Sequence, residues 1–196
     1  MILLNLQNFY IWFTTGIEHI ADWKAYDHIL FLLALCCVYS ALQWKNVIIN
    51  ITAFTIGHSF SLALSVLNFL KINSSLVEFL IPITIVITCV LNIINSTNNK
   101  AINHKIVFIL TILFGLIHGL GFSTLLKQML GKEESILFPL FSFNLGIEIG
   151  QLLIVSLSLL SSFVFVSILK IKQTTYANGI SLIIFAIALF MAIERM

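Results

Sequence analysis

Charge is what this sequence has least of. Of its 196 residues only 9% are Asp, Glu, Lys or Arg, whereas 60% are hydrophobic. Its mean hydropathy is +1.08. Soluble domains carry about 25% charged residues. So few charges cannot cover a water-facing surface, so lipid must solvate most of the exterior. The net charge of +2 is small and the lysines are scattered, which argues against a nucleic-acid partner. Cysteine is also scarce. Cys36, Cys37 and Cys89 all lie in apolar runs with no C-x-x-C spacing. That argues against a disulfide framework and a thiolate metal site. Adjacent Cys36 and Cys37 read as small apolar packing residues. The opening stretch MILLNLQNFYIWFTTG lacks the basic start and small-residue cleavage site of a secretory signal, so it is expected to be retained. The length suits one integral membrane domain over residues 1–196.

What is present is a series of apolar runs. A hydrocarbon core of about 30 Å needs roughly 20 apolar helical residues. Backbone polar groups in lipid must bond within the chain, so the runs are expected to be helices. Six are strong: 27–43, 47–70, 76–94, 106–130, 136–169 and 176–193. A weaker one, 6–20, carries Gln7, Asn8, Glu18 and His19, and spanning, interfacial and re-entrant placements all stay open for it. The run 136–169 is too long for one straight crossing, which leaves a tilt or a break near Pro139. The connections are short and polar, and Trp23 and Trp44 suit the interfacial aromatic belt. The Lys and Arg residues divide five against five between the two sides, so they set no orientation. No internal repeat is evident. The expected fold is an all-α, polytopic transmembrane bundle of six to seven membrane helices.

Ionisable groups within such runs are costly and are functional candidates by default. Four clusters stand out. Glu18-His19 is followed by Asp27-His28. Nine residues of continuous helix would separate the two histidines by about 13 Å, too far to share an ion. Asp22-Trp23-Lys24 suggests a turn that folds one segment back beside the other. Histidine with carboxylate suits Ni, Zn, Cu or Fe. Helix capping by Asp27 with an interfacial histidine is the plainer alternative. His58 sits mid-run, with Thr52, Thr55, Ser59 and Ser61 as hydrogen-bonding company. It reads as a ligand, a proton relay or a bonded bundle residue. His118 lies between Gly115 and Gly119, a small-xxx-small face that admits a close helix. It fits a buried site or simple helix packing.

The fourth cluster places Asn144, Glu148 and Gln151 on one helical face at i, i+4 and i+7, beside a second glycine pair, Gly146 and Gly150. It reads as part of a metal site or as an interhelical hydrogen-bond ladder. Glu78 follows Ser74-Ser75, where a helix N-terminus favours an acidic group, and ranks as a supporting residue. His104, between Asn103 and Lys105, is expected to face solvent. Convergence of the other polar groups on one intramembrane site is the economical reading.

These segments resemble the HupE/UreJ family of bacterial membrane proteins, associated with nickel uptake for hydrogenase and urease. The resemblance rests on Gly16-Ile17-Glu18-His19-Ile20 followed by Asp27-His28-Ile29-Leu30-Phe31. It continues through Thr52 to Ser59 with Val77-Glu78 beyond, then Phe114 to Phe122, then Phe143 to Gln151. Seven residues separate His19 from Asp27 here, Ile20 through Tyr26, where the family usually has five. The resemblance implies a permease-like, multi-pass protein of a bacterial inner membrane that handles Ni²⁺ or a related divalent ion.

Three mechanisms follow. In a transporter, the ion would pass a midplane site of His28, Asp27, His58, His118 and Glu148. His19 would join the ligands, Asn144 and Gln151 would orient them, and Glu18 and Glu78 would support them. In an intramembrane metalloenzyme, three histidines and a carboxylate would hold a catalytic Zn²⁺ with one open position. Glu148 or Asp27 would then be the general base and Ser59 would orient water or a lipid, lipoprotein or peptide substrate. In a scaffold, the same groups would only join helices.

Overall fold

The computed structural model describes residues 2–70, 72–97, 103–130 and 136–196, with side chains from Leu6 onward. Seven α-helices account for most of these residues. They are α1 (Ile2–Ala21), α2 (Asp27–Cys36), α3 (Trp44–Val66), α4 (Ser74–Thr97), α5 (His104–Leu130), α6 (Leu137–Ser162) and α7 (Gln173–Glu194). A 3₁₀ turn, Ala41–Gln43, leads into α3, and a π-helical stretch, Phe163–Ile168, extends α6. No strand occurs among the described residues. Five helices, α3 to α7, are long and apolar enough to cross a membrane.

The second run departs from its expected length. Residues 27–43 read as one span, but α2 has ten residues, about 15 Å, half a bilayer core. It is nonetheless central, with eight of the ten residues buried. A buried helix end leaves carbonyls that need partners. Here the side chain of Gln173 donates to the Cys37 carbonyl at 2.8 Å, and that of Asn92 donates to the Ala34 carbonyl at 2.8 Å. Polar side chains of α4 and α7 therefore let α2 stop inside the bundle.

Glycines set how the other helices meet. A Cβ on Gly57 would strike the Ile112 carbonyl, one on Gly115 the Phe54 carbonyl, and one on Gly119 the His58 carbonyl. The contact points advance together along α3 and α5, so these two run parallel at backbone contact. The same holds for α1 and α6, where Gly16 lies on Phe143, Gly146 on Phe13, and Gly150 on Ile17 and Ile20. Helices α4 and α7 form a third pairing.

The bundle has two ends. At one, Gln173 and Ser162 bond to the Cys37–Tyr39 segment, and Tyr39 stacks on His104. At the other, Arg195 meets Asp27 and Glu78, and Lys127 donates to Asn68. Helix α1 enters from the Arg195 end and reaches only Gly150, partway along α6. The sequence left the placement of this weak segment open. The structure makes it a partial traverse that ends beside the core. Helix α6 starts at Leu137 and runs through Pro139 unbroken, with the π-helical stretch at its far end.

Candidate metal centre

Two partial helices bring the first two histidines together. After α1 ends at Ala21, the Asp22 carboxylate accepts from the Lys24 amide at 2.8 Å, which closes a tight turn. The chain then continues as α2, toward the Gln173 end like α1. The rings of His19 and His28 end with centroids 4.7 Å apart. The nine-residue spacing is resolved by that turn rather than by a continuous helix.

His58 of α3 completes a trio. One ring nitrogen each from His19, His28 and His58 lie within 4.8 Å of one another. His28 and His58 are buried, and His19 is partly so. Metal–nitrogen bonds of about 2.1 Å in a tetrahedral site set neighbouring ligand nitrogens about 3.4 Å apart. Small side-chain rotations would bring these three to that spacing. His118 of α5 packs against His28 with ring centroids 5.0 Å apart, and its Nε2 lies 3.0 Å from Thr84 Oγ1 on α4.

The donor atoms fit a cation. His19 Nε2, His28 Nε2, both ring nitrogens of His58 and Nδ1 of His118 are buried with no hydrogen-bond partner. An unmet buried polar atom costs about 1–3 kcal/mol. With His28 Nδ1, that makes six such nitrogens among the described residues of one cluster, a donor set of the kind that binds transition metals. Asp27, the first residue of α2, sits beside His28. Its Oδ1 accepts from the His28 amide at 2.9 Å and lies 3.0 Å from His28 Nδ1, at an angle too bent for a hydrogen bond. Its Oδ2 faces Arg195 at 3.5 Å. The carboxylate thus anchors the His28 backbone and lies against the imidazole that links the trio to His118.

The remaining candidates lie elsewhere. Half-buried Glu148 accepts from Thr52 Oγ1 at 2.7 Å, and Gln151 accepts from Thr55 Oγ1 at 2.8 Å. This face of α6 therefore docks on hydroxyls of α3. Asn144 Oδ1 is buried without a partner. Glu18 is exposed on α1, Glu78 lies near Ser74 at 3.5 Å, and Ser59 is half-buried beside His58. His104 is exposed, but Tyr39 stacks on it.

Sequence reading missed two supporting residues, Thr84 and Arg195. Thr84 sits in an apolar helix with no mark beyond its hydroxyl. Arg195 had a signal in Pro82, whose missing amide leaves the Glu78 carbonyl without its helical donor. The Arg195 guanidinium donates to that carbonyl at 3.2 Å.

No curated protein and no solved structure matches the chain. A family model described as HupE / UreJ protein matches residues 4–195. With the match covering nearly the whole chain, this protein belongs to the HupE/UreJ family.

Proposed function

We propose that this protein is a membrane permease for Ni²⁺ or a closely related divalent transition metal, acting in a bacterial inner membrane. His19, His28 and His58 bind the ion, and His118 supplies a fourth nitrogen. Asp27 orients His28 and adds a negative charge against the incoming cation. Glu148, Gln151 and Asn144 stand along the neighbouring face of α6. The observation that carries this reading is the trio of clustered imidazoles with unpartnered nitrogens among apolar helices of membrane-spanning length. Family membership supports the metal, and the neutral nitrogen donors suit Ni²⁺ and Zn²⁺ alike.

A resident catalytic Zn²⁺ would use the same donors. A cavity of about 620 Å³ in the bundle, however, is lined by none of the four clustered histidines. That favours an ion as the cargo over a lipid or peptide substrate.

Elemental analysis of the protein purified in mild detergent tests the reading. We expect near-stoichiometric transition metal in the wild type after Ni²⁺ exposure, loss of it in His58→Ala, and reduced Ni²⁺ uptake by cells carrying that variant. Ni²⁺ uptake and bound metal both unchanged in His58→Ala would overturn it.

A further inference from the structure

The imidazole cluster lies between two layers of aromatic rings. Phe54 and Phe114 precede His58 and His118 by four residues on α3 and α5, which both run away from the Gln173 end. Phe31 follows His28 by three residues on α2, which runs toward that end. One helical turn therefore places all three rings on the same side of the cluster. Their packing agrees. Phe31 stacks on Phe54 at 4.9 Å and meets Phe114 at 6.0 Å. Phe31 and Phe54 lie 5.4 and 5.2 Å from His118. All three are buried. On the opposite side, Phe122 lies 4.0 Å from the His19 ring and stacks on Phe143 at 5.1 Å.

Beyond the first layer lies a cavity of about 620 Å³. Phe31 and Phe114 form part of its lining, Thr111 stands nearby, and Asn95, Asn103 and Gln173 lie toward the Gln173 end. Its lining is mainly apolar, with amides and hydroxyls interspersed and no charged side chain among the described residues. Those amides and hydroxyls can replace part of a cation's hydration without trapping it.

We propose that this cavity is the vestibule through which the metal ion exchanges between the cluster and the Gln173 end, with Phe31, Phe54 and Phe114 as its gate. The structure captures the gate shut. A hydrated divalent ion does not pass a dry aromatic layer, so exchange waits on a rotation of these rings. Opposite, Phe122 and Phe143 cover the cluster toward the Arg195 end, where His19 stays partly exposed. This inference rests on the metal-binding reading above.

The test uses the full chain in lipid vesicles and Ni²⁺ as probe. Bound Ni²⁺ and its release into excess chelator are measured for wild type, Phe114→Ala, the milder Phe114→Leu, and Leu110→Trp, which fills the vestibule. We expect the same bound Ni²⁺ throughout, with release about ten-fold faster in Phe114→Ala, intermediate in Phe114→Leu and slower in Leu110→Trp. Equal release rates with Ni²⁺ still bound would overturn the gate and leave the binding site standing. No Ni²⁺ on any variant, wild type included, would overturn the metal reading itself. A second readout needs no metal. Leu110→Cys, at a half-buried lining position, should react with a charged, membrane-impermeant thiol reagent over a low background, because Cys36, Cys37 and Cys89 are buried. Failure to react would make the cavity a lipid-filled crevice and overturn the vestibule.

Discussion

Thr84 fixes His118 by a single ring nitrogen: its Oγ1 lies 3.0 Å from Nε2, and its hydroxyl donates to the Ile81 carbonyl at 2.7 Å. With that proton committed, Thr84 can only accept, so Nε2 carries the ring proton. The Nδ1 lone pair is then free, and it is buried without a partner. Outer partners of this kind set a ligand's tautomer and basicity. Thr84→Val keeps the shape and removes the acceptor. We expect Ni²⁺ affinity to fall about 10–100-fold, read by competition against a calibrated chelator, with the melting temperature nearly unchanged. Unchanged affinity would remove His118 from the ligand set.

Glycine contacts decide where the histidines meet. A Cβ on Gly115 overlaps the Phe54 carbonyl, and one on Gly16 overlaps the Phe143 carbonyl, both backbone atoms that cannot swing away. Gly115→Ala and Gly16→Ala should therefore each destabilise by about 1–3 kcal/mol, the usual cost of overpacking. They should also weaken Ni²⁺ binding, because each pries apart a helix that carries a cluster histidine. Gly179 is the control, since a Cβ there meets nothing within 4 Å. Thermal unfolding in detergent should show Gly179→Ala at or above wild type. Three equal melting curves would refute the packing argument.

Much of this was legible in the sequence, for physical reasons that particular residues make plain. Apolar length alone marks α3 to α7, because lipid leaves the backbone few other choices. His19, Asp27, His28, His58 and His118 stood out because polar groups are rare and costly in such runs. The shortness of α2 was not legible. Its apolar residues continue past Cys36, and what ends the helix is Gln173, distant in sequence, bonding the Cys37 carbonyl. The surroundings of Glu148 were equally hidden. Periodicity put it on one face with Gln151, but only the packing of α6 on α3 decides that this face meets Thr52 and Thr55.

Arg195 serves two acceptors, the Asp27 carboxylate at 3.5 Å and the Glu78 carbonyl at 3.2 Å. The second exists because Pro82 brings no amide. A double-mutant cycle separates them. Arg195→Gln should lower stability, and Pro82→Ala should restore a helical donor to the Glu78 carbonyl. The loss from Arg195→Gln should then be smaller in the Pro82→Ala background, with a coupling of about 0.5–1 kcal/mol in chemical or thermal denaturation. Strict additivity would mean that Arg195 acts on Asp27 alone.

The carboxylate of Glu148 is held by the Thr52 hydroxyl at 2.7 Å, one turn from the matching bond of Thr55 to Gln151. An amide at this position keeps an oxygen for Thr52 and discards the charge, so Glu148→Gln separates the two roles. If the residue joins α6 to α3, this variant should match wild type in melting temperature. Glu148→Ala should lose about 0.6–1.7 kcal/mol, the range for hydrogen bonds between membrane helices. The trio of His19, His28 and His58 forms without Glu148, so bound Ni²⁺ in Glu148→Gln should equal that of wild type. Uptake supplies the other half of the test. A charge that draws the ion along α6 acts during passage and not at rest, so Glu148→Gln should transport more slowly while binding as well. Loss of bound Ni²⁺ in Glu148→Gln would instead make the carboxylate a ligand and require α6 to turn it away from Thr52 when the ion binds.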